Sequence, residues 1–120
     1  LAALHAGAEM ILTEGLAAVF ERHAVVADDC RRRLEDIGLT IFPAPGAVPS
    51  PTVTAVYLPA AMSWSDFDTA ARKRGLVVGG SYGQLAGKVF RLGHMGSQAE
   101  KKLVRRALDV IAEALKDRVR

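Results

Sequence analysis

The chain of 120 residues has little of several residue types, and each shortage argues against a class of protein. Cys30 is the only cysteine, so no disulfide can form within the chain, which fits a reducing compartment. Aromatic residues make up 6%, which leaves few platforms for stacked bases. No apolar run reaches the roughly 20 residues of a membrane-spanning helix. We therefore predict a cytoplasmic protein without a nucleic-acid or membrane partner.

The net charge is also small: 16 Lys and Arg against 13 Asp and Glu give +3. Half of the residues are hydrophobic, enough for the core of one domain. Helical spacing of apolar residues is present from Leu1 onward without a cap or a turn, so we expect the chain to begin inside a helix of a longer protein. A second helical stripe ends before Gly38 and consists of Leu16, Phe20, His23, Ala27, Cys30, Leu34 and Ile37.

Four short segments have the composition of β-strands: 39–42, 52–58, 76–78 and 88–93. Capping patterns predict helices beginning near Ser65, with Asp68 three residues on, and near Ser97, with Glu100 three residues on. The last helix has a predicted apolar stripe of Leu103, Ala107, Ile111 and Ala114. This order predicts an α+β, two-layer fold in which helices cover one face of a small, mainly antiparallel sheet of about four strands.

One cation, Arg91, stands in the middle of the last predicted strand, "KVFRLG". Alternation places Val89, Arg91 and Gly93 on one face of the sheet, and Phe90, Leu92 and His94 on the other. If the second set meets the helices, Arg91 projects from the uncovered face beside the space that Gly93 leaves. A planar guanidinium suits a carboxylate or phosphate ligand, and an ion pair with an acid of the fold is the structural alternative.

Other candidate groups are fewer. The stretch "GGSYG" contains Gly79, Gly80 and Ser81, whose backbone could approach a ligand closely, although a phosphate-binding loop is excluded by Tyr82 and by the strand that follows. His23 and Cys30 lie about 10 Å apart on a helix, too far to share a metal ion. No catalytic set of Ser, His, Cys and Asp is present, so we expect no catalytic residue and no metal in this chain.

Four segments together resemble the C-terminal, small domain of class V pyridoxal-phosphate aminotransferases of fold type I: "EGLAAVFERH", "SPTVTAVYLP", "RGLVVGGSYGQLAGKVFRLGHMG" and the closing helix. The likeness covers almost all of residues 1–120 and is greatest for the alanine–glyoxylate and serine–pyruvate group. The resemblance implies that Arg91 binds the α-carboxylate of the substrate and that Gly79, Gly80 and Ser81 lie near it. Ser81 and Tyr82 depart from the common pattern, which leaves substrate identity and the role of His94 open.

The same resemblance implies a homodimeric enzyme that moves an amino group between alanine or serine and glyoxylate or pyruvate. Its Schiff-base lysine belongs to a large upstream domain that this chain lacks, since none of Lys73, Lys88, Lys101, Lys102 and Lys116 matches. We therefore expect pyridoxal phosphate in the full-length enzyme and an inactive, cofactor-free piece here. Alternatives are a desulfurase of the same family, a non-catalytic carboxylate-binding module, and a dimerisation module using the uncharged residues 37–65.

Overall fold

The structure is a computed structural model that describes residues 1–117, in which three helices pack on a small sheet and a fourth precedes them. Two short 3-10 turns, Gly83–Leu85 and Gly96–Gln98, flank the last strand. The helices and strands, in chain order, are α1 (Ala2–Glu14), α2 (Leu16–Asp36), β1 (Val53–Tyr57), α3 (Trp64–Lys73), β2 (Gly79–Gly80), β3 (Val89–Gly93) and α4 (Lys101–Lys116).

The sheet has the order β1-β3-β2, and both pairings are antiparallel. Arg91 lies at its centre, opposite Ala55 on one side and Gly79 on the other. Phe90 is opposite Val56 and Gly80 in the next register position. The predicted α+β class and antiparallel sheet are therefore confirmed.

The predicted number of about four strands is wrong, because the sheet formed by residues 1–117 has three. Residues 39–42 approach β1 through a single bridge between Ile41 and Val56. Two hydrogen bonds support the bridge, from Phe42 N to Ala55 O and from Tyr57 N to Thr40 O, both 2.9 Å long. Pro43 follows and has no N–H to donate, so the ladder cannot continue.

The third predicted strand is displaced along the chain. Residues 76–78 are not part of the ladder, and pairing begins only at Gly79 and Gly80, which we predicted to lie in a loop. Glycine has a low strand propensity, so composition favoured the preceding "LVV". The position of β2 is decided by its pairing with β3, and composition alone does not indicate that pairing.

The core lies between the sheet and the helices α2, α3 and α4. The rings of Phe67 on α3 and Phe90 on β3 are tilted with their centroids 4.8 Å apart, a favourable aromatic geometry. Both side chains are fully buried. The other large core residues are Val26, Cys30, Leu34, Leu39, Val56, Leu58, Met62, Val78, Leu92, Val104, Leu108 and Ile111.

The first half of the predicted α2 stripe is wrong, because Leu16 and Phe20 are 54% and 67% exposed and burial begins at His23. The chain bends by 91° between α1 and α2, and α1 has no buried residue. Ile37, at the other end of the stripe, is 40% exposed. Periodicity shows which face of a helix is apolar, but it does not show whether another element covers that face.

Within residues 1–117, no single helix is both long and apolar enough to cross a membrane, and only the bent α1–α2 pair passes on length and composition.

Two helix starts also differ from the predictions. Ser63, not Ser65, caps α3: its Oγ accepts from Asp66 N at 3.1 Å and donates to the Asp66 carboxylate at 2.6 Å. Ser97 lies in a 3-10 turn, and α4 begins at Lys101 without a side-chain cap. The buried stripe of α4 is also rotated, and consists of Val104, Leu108, Ile111 and Ala114.

Candidate functional site

Arg91 projects from the sheet face that the helices do not cover. Its neighbours Phe90 and Leu92 are buried, as is His94, whereas Arg91 and Gly93 are exposed. The predicted alternation of β3 is therefore confirmed from Phe90 to His94. Val89 is on the same side as Arg91 by alternation but is buried. The rigid central strand thus presents a guanidinium to solvent.

The guanidinium of Arg91 is held by a backbone carbonyl and not by an acid. Nε and Nη2 both donate to the carbonyl oxygen of Gly80, at 3.1 and 2.7 Å. Among the ion pairs of residues 1–117, none includes Arg91. The carbonyl occupies the Nε–Nη2 edge of the planar group, which leaves the terminal edge formed by Nη1 and Nη2. That edge offers two parallel N–H groups, the arrangement that a carboxylate accepts in bidentate fashion.

Two adjacent glycines lie beside Arg91, each on a different face of the sheet. A Cβ on Gly79 would lie 3.4 Å from Nη2 of Arg91 on the open face, which is an ordinary van der Waals distance. A Cβ on Gly80 would lie 3.1 Å from Cζ2 of Trp64, on the face that the helices cover. The glycine pair therefore lets β2 fit between the indole of Trp64 and the guanidinium of Arg91.

Ser81 and Tyr82 follow β2 directly. Among the hydrogen bonds of residues 1–117, none involves the Ser81 side chain, so the structure brings Gly79 and Gly80 to Arg91 but gives Ser81 no hydrogen bond with it. The Tyr82 ring, in contrast, lies over Arg91, with Cζ 5.5 Å from the ring centroid. Sequence reasoning assigned no role to Tyr82. An aromatic residue directly after a strand that pairs with Arg91 was the available signal.

His94 lies three residues beyond Arg91 and is fully buried. Its Nε2 is 2.8 Å from Oγ1 of Thr54 on the neighbouring strand, while Nδ1 has no hydrogen-bond partner among the described residues. Removal from water lowers the pKa of His94 below its ordinary value of 6.5, and the nearby Arg31 acts in the same direction. His94 is therefore a neutral side chain that links β1 and β3 behind the site.

Arg22 and His23 hold the turn that follows β3. Arg22 donates from Nη1 to the carbonyl oxygens of Gly96 and Ala99, at 2.8 and 3.0 Å, and pairs with Glu14 through Nε and Nη2. His23 donates from Nδ1 to Val19 O and accepts at Nε2 from Gly96 N. These contacts join α1, α2 and the turn after β3 around one arginine.

Cys30 and the lysines do not take part in the site. Cys30 is fully buried, and burial raises the pKa of its thiol to about 11, so it is a neutral core residue and not a nucleophile. Within the described range, no cluster of His, Cys, Asp and Glu could hold a metal ion. All five lysines, Lys73, Lys88, Lys101, Lys102 and Lys116, are exposed.

One groove of the described residues has a volume of about 620 Å³ and lies between α2 and the proline-rich residues 39–49. Arg91 is not part of its lining. Arg91 instead lies on an open surface, next to Gly79 and Tyr82. The candidate site is therefore an open surface around Arg91 and not an enclosed pocket.

Comparison with known proteins gives the chain clear relatives, although no protein-family model matches it. It is 34% identical over 114 residues to alanine–glyoxylate aminotransferase of Oryctolagus cuniculus, covering 94% of this chain and 29% of that protein. It is 35% identical over 108 residues to pyridoxamine–pyruvate transaminase of Mesorhizobium japonicum, covering 89% and 28%. The crystal structure of pyridoxamine–pyruvate aminotransferase from Mesorhizobium loti superimposes with a TM-score of 0.87 at 34% identity, covering 93% and 29%.

These relatives agree with the resemblance drawn from the sequence: the chain is homologous to class V aminotransferases and has the fold of their C-terminal domain. Class V aminotransferases are pyridoxal-phosphate enzymes. The chain spans less than a third of the length of the curated relatives it matches.

Proposed function

We propose that this chain is the carboxylate-binding domain of a pyridoxal-phosphate-dependent aminotransferase, in which Arg91 binds the α-carboxylate of a small amino acid or 2-oxo acid. The observation that carries the proposal is an exposed guanidinium on a rigid strand, with its terminal edge free and no acidic partner among the described residues. The names of the relatives support a 2-oxo acid as a substrate, since glyoxylate and pyruvate are both 2-oxo acids. Alanine or serine is the proposed amino donor.

The role of this domain in the reaction is orientation. A carboxylate held by two parallel N–H groups has a defined plane and distance, so the rest of a small substrate is fixed relative to the strand. Arg91 can supply that constraint because the Gly80 carbonyl and the Tyr82 ring already limit its own movement. A freely rotating cation would bind the same acid without fixing its position.

Pyridoxal phosphate, when bound, supplies the electron sink for amino-group transfer. The described residues do not fit that cofactor, because all five lysines are exposed on the surface. We therefore assign cofactor binding to the two thirds of the relatives' length that this chain does not span. A homodimer and a cytoplasmic location stay predictions from the sequence.

The first prediction tests this proposal in the full-length protein with Arg91→Gln and Arg91→Lys. Loss of the bidentate contact should lower kcat/KM for alanine with glyoxylate, and for serine with pyruvate, by an amount equivalent to about 1.5 to 3 kcal/mol. Lysine should recover only part of the loss, because an ammonium cannot form the parallel pair of bonds.

The matched control is Arg72→Gln, since Arg72 is an exposed arginine on α3 that pairs with Asp68 within its own helix. It should leave kcat/KM unchanged. Unchanged kinetics for both Arg91 variants would contradict the proposal. The non-catalytic alternative makes a different prediction: calorimetric titration of the isolated 120-residue chain with pyruvate or glyoxylate would show binding without the rest of the protein.

A further inference from the structure

Tyr82 has an orientation that core packing does not explain. Its side chain is 82% exposed, and yet the ring lies over the Arg91 guanidinium at 5.5 Å. The residue is extended, with φ −121° and ψ 166°, and immediately precedes the 3-10 turn Gly83–Leu85. The described contact of this exposed ring is with the Arg91 guanidinium. We therefore expect Tyr82 to affect the orientation of Arg91 and not the packing of the core.

The ring and the Gly80 carbonyl restrain the guanidinium in different ways. Two bonds to one carbonyl oxygen fix the rotation of the group within its plane. A ring over the cation opposes tilting out of that plane, because its negative face attracts the positive charge. Gly79, opposite Arg91 in the ladder, adds no side chain that would push the group toward another orientation. The free terminal edge therefore has one preferred direction.

We propose that Tyr82 is a positioning residue for acid recognition: its ring holds Arg91 so that the Nη1–Nη2 edge faces the incoming carboxylate. This inference rests on the proposed function, because it assumes that Arg91 binds the substrate acid. It goes further by assigning a role to an exposed side chain that acts through Arg91. The ring, and not the hydroxyl, is the acting group, since none of the hydrogen bonds of residues 1–117 involves the Tyr82 hydroxyl.

The second prediction compares Tyr82→Leu with Tyr82→Phe in the full-length protein. We expect Tyr82→Leu to raise KM for pyruvate and the inhibition constant of propionate, a carboxylate without a reacting carbonyl, by about two- to fivefold while kcat changes little. Tyr82→Phe should retain wild-type values because the ring remains. Gln84→Leu, two residues on in the same exposed turn, is the matched control and should change neither constant.

The outcomes separate this inference from the function on which it rests. If Arg91→Gln weakens propionate inhibition but Tyr82→Leu does not, the positioning role is wrong and the proposed function stands. If Tyr82→Phe is as damaging as Tyr82→Leu, the hydroxyl acts and the ring mechanism is wrong. If Arg91→Gln has no effect on propionate, the proposed function itself fails. A fall in kcat with an unchanged KM in Tyr82→Leu would also overturn the assignment.

Discussion

Two arginines, Arg22 and Arg91, have the same chemistry and very different surroundings. Arg22 pairs with the Glu14 carboxylate through one edge and donates to two backbone carbonyls through Nη1. Arg91 donates to a single neutral carbonyl and contacts the face of an aromatic ring. Arg22 therefore has its charge compensated and its donors engaged, whereas Arg91 has no acidic partner among residues 1–117 and keeps a free edge.

This difference separates an arginine that holds the fold from one that can bind a ligand. Arg22 joins the bend between α1 and α2 to the turn 96–99, which lies more than 70 residues further along the chain. The side-chain hydrogen bonds and the aromatic contact described for Arg91 are with Gly80 of β2 and with Tyr82, two residues after that strand. Removing Arg22 should loosen the turn, and removing Arg91 should leave local stability almost unchanged. Exposure alone does not distinguish the two, but the identity of their partners does.

The third prediction has the largest expected effect in this comparison and uses Arg22→Gln against Arg91→Gln. Loss of the charged hydrogen bonds to Gly96 O and Ala99 O should lower the local opening free energy by about 1.5 kcal/mol, which corresponds to about tenfold faster amide hydrogen exchange in residues 96–100. Arg91→Gln should leave that exchange unchanged. Hydrogen exchange followed by mass spectrometry makes the measurement on the intact protein. Equal acceleration in both variants would contradict the division of roles.

The fourth prediction concerns the two glycines beside Arg91. Gly80→Ala places a Cβ 3.1 Å from Trp64, so the indole or β2 must move, and we expect a loss of about 1 kcal/mol in the free energy of unfolding. Gly79→Ala makes an ordinary 3.4 Å contact with the end of a flexible side chain and should change stability less. Urea unfolding compares the two variants. A larger loss for Gly79→Ala would show that the guanidinium is more rigidly held than the indole.

Much of the site was predictable from the sequence because it depends on local alternation. The period of two along β3 is sufficient to expose Arg91 and bury Phe90 and Leu92. Composition gave the wrong position for the strand at residues 76–78, because strand pairing depends on a partner elsewhere in the sequence. It also failed for Leu16 and Phe20, whose apolar character is real but which no described element covers.

The contacts that define the site were beyond sequence reasoning for a related reason. The pairing of β2 with β3 brings Gly80 O and Tyr82 to Arg91. The packing of α3 against the sheet brings Trp64 to Gly80. Composition indicated that glycines would permit a close approach, but it did not identify which side chain would use each gap. Tertiary contacts of this kind require the register of the sheet.

The fifth prediction has the smallest expected effect and concerns His94, the buried neutral side chain on the same segment as Arg91. Its pKa is lowered by burial from the ordinary 6.5, so the unfolded chain binds more protons than the folded one as the pH falls. The contribution to stability is complete above pH 6.5 and decreases as the pH falls from there toward the lower pKa of the folded state. Thermal unfolding at pH 7.5 and 5.5 should show this loss in the wild type.

His94→Gln tests whether the loss belongs to this residue. The variant removes the titrating group, so its melting temperature should change less between the two pH values even if its absolute stability is lower. Glu14, Asp29 and Asp117 do not confuse the comparison, because their pKa values are lowered from ordinary values near 4 and their effect lies at more acidic pH. An equal pH dependence in the wild type and in His94→Gln would show that the covered side of the sheet loses stability on acidification through another group. Arg91 and His94 would then differ in their hydrogen-bond partners, but the neutral state of His94 would not explain the stability of the covered face.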